Sequence, residues 1–256
     1  MKLRINPNKP DTVPSHRLAP AVFLLLAGVL SGAAAPASAG VFSVTPVRIY
    51  MTPRDRAVAV TIVNEGDTEV VLQADLNAWS QKPDGTDEQV PTEDLILSPP
   101  VIKLGPNARQ VVRLALLKPA DASRQLIYRM IMREVPEALA GRDKTIQVPI
   151  ALALSMPVFI TPPVAKRDVS CQASRGVSPA VNVSCTNSGT AYAQVREIQV
   201  RRGTQALGRF EGGTYILPGA RQVMSVKAEQ PISPGAAQLS VSFDDGKSQT
   251  FDITLP

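Results

Sequence analysis

Residues 145–163 read TIQVPIALALSMPVFITPP, an uncharged stretch with few polar side chains. From Ile146 to Met156 the large apolar residues fall on every second position: Ile146, Val148, Ile150, Leu152, Leu154 and Met156. That is the period of a β-strand, whose successive side chains point to opposite faces. The run is longer than the about 5–6 residues usual for a strand. Pro149 and Pro157 lack a backbone N–H, which confines such a strand to a sheet edge. A long apolar edge invites pairing with another chain, so the reading of the whole protein turns on what this strand is for.

Working outward toward the N-terminus, Lys2, Arg4, Lys9 and Arg17 precede an apolar run, LAPAVFLLLAGVLSGAA, and then ASAG. This is the order of a secretory signal peptide, with cleavage expected after Ala39. The run contains Pro20 and is short for a membrane span of ~20 residues, and no later segment reads as transmembrane. Four of the 27 Lys+Arg and one of the 22 Asp+Glu lie in residues 1–39, which leaves 23 against 21, a net charge of about +2. The high whole-chain pI therefore gives no support to nucleic-acid binding, and no basic block carries interleaved aromatics.

The remaining chain reads as strands throughout. VFSVTPVRIYM (41–51), AVAVTIVNEG (57–66), EVVLQADLNAW (69–79), RQVVRLALL (109–117) and QLIYRMIMREV (125–135) are short runs rich in β-branched residues. Turn residues separate them, among them Thr52–Asp55, Asn64–Asp67, Pro83–Gly85 and Gly105–Asn107. At TPPVAKRD (161–168) the pattern stops on two prolines and restarts beyond a charged cluster, as a short stiff linker would. The fold class expected is all-β: two immunoglobulin-like β-sandwich domains in tandem, residues 41–162 and 163–256.

Cys171 and Cys185 are the only cysteines and lie in a strand–turn–strand segment, VSCQASRGVSPAVNVSCTNSG. In an exported chain the simplest reading is a cross-strand disulfide. Two thiols alone do not make a metal site, and the only histidine, His16, leaves with the signal peptide. Histidine-based acid–base and metal chemistry is thus excluded, and no phosphate loop, dinucleotide fingerprint or nucleophile elbow is present. Asp244–Asp245–Gly246 pairs two carboxylates, but between two strands it reads as a hairpin turn. No enzyme activity, cofactor or metal is expected.

Five segments, in order, resemble the periplasmic chaperones of the chaperone–usher pilus pathway. They are VTPVRIYM (44–51), VNEG (63–66), SPPVIKLGPNARQVVRL (98–114), YRMIMREVP (128–136) and PVFITP (157–162). The ending SMPVF (155–159) is similar to the archaic branch of that family. The resemblance implies a periplasmic chaperone that lends its closing strand to pilin-like subunits, completing their open sandwich, and delivers them to an outer-membrane usher. On that reading Val148, Ile150, Leu152 and Leu154 are the donor-strand side chains. Main-chain hydrogen bonds would give affinity and alternate side chains would fill the subunit's groove.

The resemblance also implies a basic pair that holds the subunit's C-terminal carboxylate. Arg48 matches the family's arginine, and a guanidinium presents forked donors to a carboxylate. The family's lysine is missing: Pro157 stands in its place. Arg129 is the candidate for the second charge, with Arg133 an alternative. Strand parity puts Arg129, Ile131 and Arg133 on one face and Tyr128, Met130 and Met132 on the other. A different reading is an exported immunoglobulin-like adhesin or structural pilus subunit; strand-like sequence begins at Val41, leaving no N-terminal donor extension. The exposed strand leaves a homodimer of the free chain open.

Overall fold

The computed structural model describes residues 42–136 and 151–256. These residues form 17 strands and, among the described residues, no helix. In chain order the first ten are β1 (Phe42–Thr45), β2 (Ile49–Met51), β3 (Ala57–Asn64), β4 (Val70–Gln81), β5 (Asp87–Pro91), β6 (Leu95–Ser98), β7 (Val101–Leu104), β8 (Arg109–Leu116), β9 (Leu126–Glu134) and β10 (Ala153–Ile160). One sheet has the order β1-β3-β8-β6; the other runs β2-β10-β9-β4-β5, with β7 also paired to β4. The two sheets bury one core, in which Ile62, Leu72, Leu114, Met130, Met132 and Val158 are fully enclosed.

Seven strands follow: β11 (Val169–Arg175), β12 (Val181–Asn187), β13 (Ala193–Arg202), β14 (Gln205–Ile216), β15 (Arg221–Val226), β16 (Gly235–Phe243) and β17 (Ser248–Leu255). They make a three-stranded sheet, β11-β12-β15, and a four-stranded sheet, β14-β13-β16-β17. Between these lies a second core that includes Val183, Val195, Ile198, Leu239 and Val241. The protein is all-β, with two sandwiches in tandem, because alternating apolar residues on each strand have one face to bury and a second sheet buries it.

Cys171 and Cys185 are directly opposed across β11 and β12, and they form a disulfide. The strand–turn–strand reading placed them correctly because a tight hairpin fixes register locally.

The two sandwiches share a small third cluster. Trp79, Phe159 and Leu217 are buried there, with Ile127, Tyr192 and Tyr215 packed around them. The β4–β5 turn adds a polar seam. Arg221 N donates to Pro83 O at 3.2 Å, and Gln222 Nε2 donates to Gly85 O at 2.7 Å. Gly85 has φ of 89°, and a Cβ there would run into the Arg221 carbonyl and the Gln222 side chain. Glycine thus meets two demands at once, a left-handed turn and close approach of the second domain.

Candidate functional site

β10 is the strand that opened the sequence reading, and its register organises the site. On one side it pairs antiparallel with β9 along its whole length, Ala153 opposite Arg133 through Ile160 opposite Leu126. On the other side it pairs parallel with β2 only from Val158 to Ile160. From Ala153 to Pro157 that second edge has no strand beside it among the described residues. Pro157 sits within the open length, where its missing N–H costs the sheet nothing.

The two faces of β10 do different things. Ile160, Val158 and Met156 point into the N-terminal core, and Leu154, opposite Met132, is half-buried against it. Leu152, two residues further out, is 39 % exposed. The inward face therefore belongs to the domain's own core as far as Leu154 and meets solvent at Leu152. Val148 and Ile150, the other two donor-strand residues expected from sequence, lie outside the described residues. The opposite face carries Pro157 and the fully buried Phe159 toward the second domain.

Arg129 lies directly across from Pro157 on β9. Its guanidinium carbon is 3.7 Å from the centre of the Trp79 ring and 5.7 Å from that of Tyr215. Stacking on tryptophan lets the cation be half-buried without an acid hydrogen-bonded to it among the described residues. The Nε of Arg129 is buried and has no hydrogen-bond partner among the described residues. Burial lowers the pKa of this arginine, with Tyr215 and Asp87 opposing the shift; arginine nonetheless stays charged at neutral pH.

Arg48 comes from the other side, one residue ahead of Ile49, the β2 partner of Val158. Its guanidinium carbon is 5.9 Å from the same Tyr215 ring. Nη1 donates to Asp244 Oδ2 at 3.1 Å. That oxygen also accepts from the Tyr192 hydroxyl at 2.8 Å, and Tyr192 shares a 3.0 Å hydrogen bond with the Tyr50 hydroxyl. Burial alone would lower the Arg48 pKa, but hydrogen bonding with Tyr50 and the nearby Tyr215 and Asp244 outweigh it and raise the pKa overall. Burial and the hydrogen bonds with Tyr50 and Asp244 hold the Tyr192 hydroxyl protonated well above the usual phenol range.

The two arginines expected from the sequence thus both lie near one aromatic ring, that of Tyr215. Arg133, the alternative, is instead paired with Asp75 at 2.7 Å on an exposed stretch of the sheet. Sequence reasoning did not find the walls of the site. Five of the chain's 11 aromatic residues, Tyr50, Trp79, Phe159, Tyr192 and Tyr215, contact one another there. Phe159 stacks on Tyr192 with ring centres 4.0 Å apart, and Trp79 meets Tyr215 edge-on at 5.2 Å. Polar bonds brace the same wall: Trp79 Nε1 donates to Asp87 Oδ1 at 3.0 Å, and Leu217 N donates to Gln81 Oε1 at 2.9 Å. The only available signal was scarcity, since aromatics make up 4% of the chain, and nothing local links these positions.

A guanidinium beside an aromatic wall presents forked donors, the chemistry that suits a carboxylate, and reduced exposure to water strengthens such an attraction. Among the described residues no group of His, Cys, Asp and Glu could hold a metal ion. No helix of the described residues is long and apolar enough to cross a membrane.

By fold and site this is an all-β protein of two sandwiches, with two arginines set against the aromatic cluster they share and an open strand edge beside them. Residues 41–166 match the family described as pili and flagellar-assembly chaperone, PapD N-terminal domain, and this N-terminal domain belongs to that family. Among solved structures it is similar to a chain of the CsuC–CsuE chaperone–tip adhesion subunit pre-assembly complex from archaic chaperone–usher Csu pili of Acinetobacter baumannii. The identity there is 19%, with 84% of this chain and 99% of that one covered and a TM-score of 0.61. The E. coli chaperone DraB is similar at 16% identity, 85% and 97% coverage and a TM-score of 0.56. A Salmonella enterica SafA pilin–SafB chaperone complex gives 15% identity, 85% and 98% coverage and 0.54. At these identities the likeness is one of fold. No curated protein matches the sequence.

Proposed function

We propose that the protein is an exported, periplasmic chaperone that binds pilin-like subunits and hands them to an outer-membrane usher, and that it works by binding alone. The observation that carries this is the open edge of β10 from Ala153 to Pro157, which ends between Arg48 and Arg129. An extended subunit segment would add to that edge through main-chain hydrogen bonds, and its C-terminal carboxylate would lie between the two guanidinium groups. Val148, Ile150 and Leu152 would fill the subunit's groove, with Leu154 closing the chaperone's own core at the boundary. The domains proposed are 41–162, carrying the donor strand, and 163–256, after removal of residues 1–39.

The test is capture from a periplasmic extract of the native host, followed by mass spectrometry. A stoichiometric, β-rich subunit should co-purify with the wild type and be lost from Leu152→Glu and from Arg48→Ala, both still folded by circular dichroism. Undiminished capture by both variants would overturn the reading.

A further inference from the structure

The Asp244–Asp245–Gly246 turn joins β16 to β17, with Gly246 at φ of 76°. It is the hairpin turn the sequence suggested, yet both carboxylates also reach arginines elsewhere, Asp245 while still accepting from Lys247 N within the turn. Asp245 makes a two-point contact with Arg167, at 2.9 and 3.1 Å. Asp244 crosses to the N-terminal domain and meets Arg48 through Nη1 alone, at 3.1 Å. We propose that Asp244 is a resident carboxylate: it occupies Arg48 in the free protein and is displaced by the carboxylate that the anchor binds, which tunes the anchor for release. This rests on the anchor reading above.

Three features support displacement over a fixed strut. The ion pair is single-point, whereas a carboxylate matched to arginine is held at two points, as Asp245 is. Asp244 Oδ2 is shared with the Tyr192 hydroxyl at 2.8 Å, so Arg48 can leave without stranding a buried acceptor. Tyr192 itself is held by its stack on Phe159. Finally, the Arg48 side chain is 31% exposed against 13% for Asp244. The cation can be reached from outside while the acid stays tucked behind it. Two carboxylates on one guanidinium would repel each other, so an incoming one competes with Asp244. Arg129 has no hydrogen-bonded or ion-paired acid among the described residues, so only half of the anchor is masked.

The chain's single tryptophan, Trp79, lies against Arg129, so its fluorescence reports occupancy. The probe is acetyl-Val-Thr-Val-Thr-Leu, as the free acid and as the C-terminal amide, titrated into the full mature chain. Asp244→Asn removes the charge but keeps an oxygen for Tyr192. It should bind the free acid about two- to fivefold more tightly than wild type, as expected for loss of one partly exposed ion pair, and should leave amide binding unchanged. Tyr192→Phe, which returns Asp244 to Arg48 alone, should weaken free-acid binding about twofold or more, and it carries the test if Asp244→Asn does not fold. Free-acid binding that is equal or weaker in Asp244→Asn, or equal or tighter in Tyr192→Phe, overturns the proposal and leaves the anchor standing. Acid and amide bound alike by wild type and by Arg48→Ala overturn the anchor itself, and the proposal with it.

Discussion

Arg129 and Pro157 are direct partners across the antiparallel pair β9–β10. The position that lacks its own charge is therefore faced by an arginine on the neighbouring strand. The parallel register on the other side places Arg48 one residue ahead of Ile49, which pairs with Val158. In backbone register Pro157 thus has an arginine on either side, so two positive charges are supplied near this position without one on β10.

This relationship predicts a swap. Arg129→Ala should abolish most subunit capture and cost about 1–2 kcal/mol of stability, the worth of a partly desolvated cation over tryptophan. Adding Pro157→Lys to Arg129→Ala returns a cation from the opposite strand and should restore capture in part. Pull-down yield beside a thermal melt checks both; a double variant no better than the single one would show that the charge must come from β9.

Leu152 and Leu154 should separate binding from folding. Leu152 is 39% exposed, so Leu152→Glu should melt within about 1 kcal/mol of wild type, as surface changes do, while losing its subunit. Leu154 packs on the N-terminal core, and Leu154→Glu should lower the melting temperature with no partner present. Circular dichroism of the two free variants decides it, and equal melts would refute the boundary drawn between them.

Phe159 is fully buried and contacts Tyr50, Trp79, Tyr192 and Tyr215. Phe159→Ala should cost about 3–5 kcal/mol. Because the lost contacts join the two sandwiches, the melt should split into two transitions and the radius of gyration by small-angle scattering should rise. A single transition at unchanged size would mean that the polar seam at Gly85 and Gln222 suffices.

Acid should weaken the fold through depressed carboxyls. Burial alone would raise the Asp94 pKa, but hydrogen bonds from Lys118 and Tyr128 outweigh it and hold it below the ordinary value; Arg167 does the same for Asp245. For a depressed carboxyl the stabilisation is present above the unfolded value near ~3.9 and is lost as pH falls through the folded value. The melting temperature contributed by these groups should stay level down to about pH 5 and fall below about pH 4. Asp94→Asn should lower the plateau and flatten the acid limb; an unchanged acid limb would remove Asp94 from the account.

Cys171 and Cys185 close a loop with a sequence separation of 14. The unfolded, unreduced protein should titrate with no free thiol. Replacing both by serine should cost about 3 kcal/mol on the chain-entropy account, read as a lower melt. Two reactive thiols in the unfolded, unreduced chain would contradict the pairing.

Local chemistry settled what the sequence by itself could decide. Alternation separated the core face, Tyr128, Met130 and Met132, from the face carrying Arg129, because a strand has a period of two whatever it packs against. Turn residues placed Cys171 opposite Cys185 for the same reason, since a short hairpin fixes its own register. The ends of β10 were different. Its apolar run looks uniform in sequence, and only packing shows that Leu154 serves the domain's own core while Leu152 does not. The aromatic wall and the Asp244–Arg48 contact lay further from reach. Arg48 and Asp244 are 196 positions apart, and no periodicity extends across such a span. Their meeting depends on how two separately folded sandwiches dock, through Phe159 on one and Tyr192 on the other, and that docking is a property of shape and not of pattern.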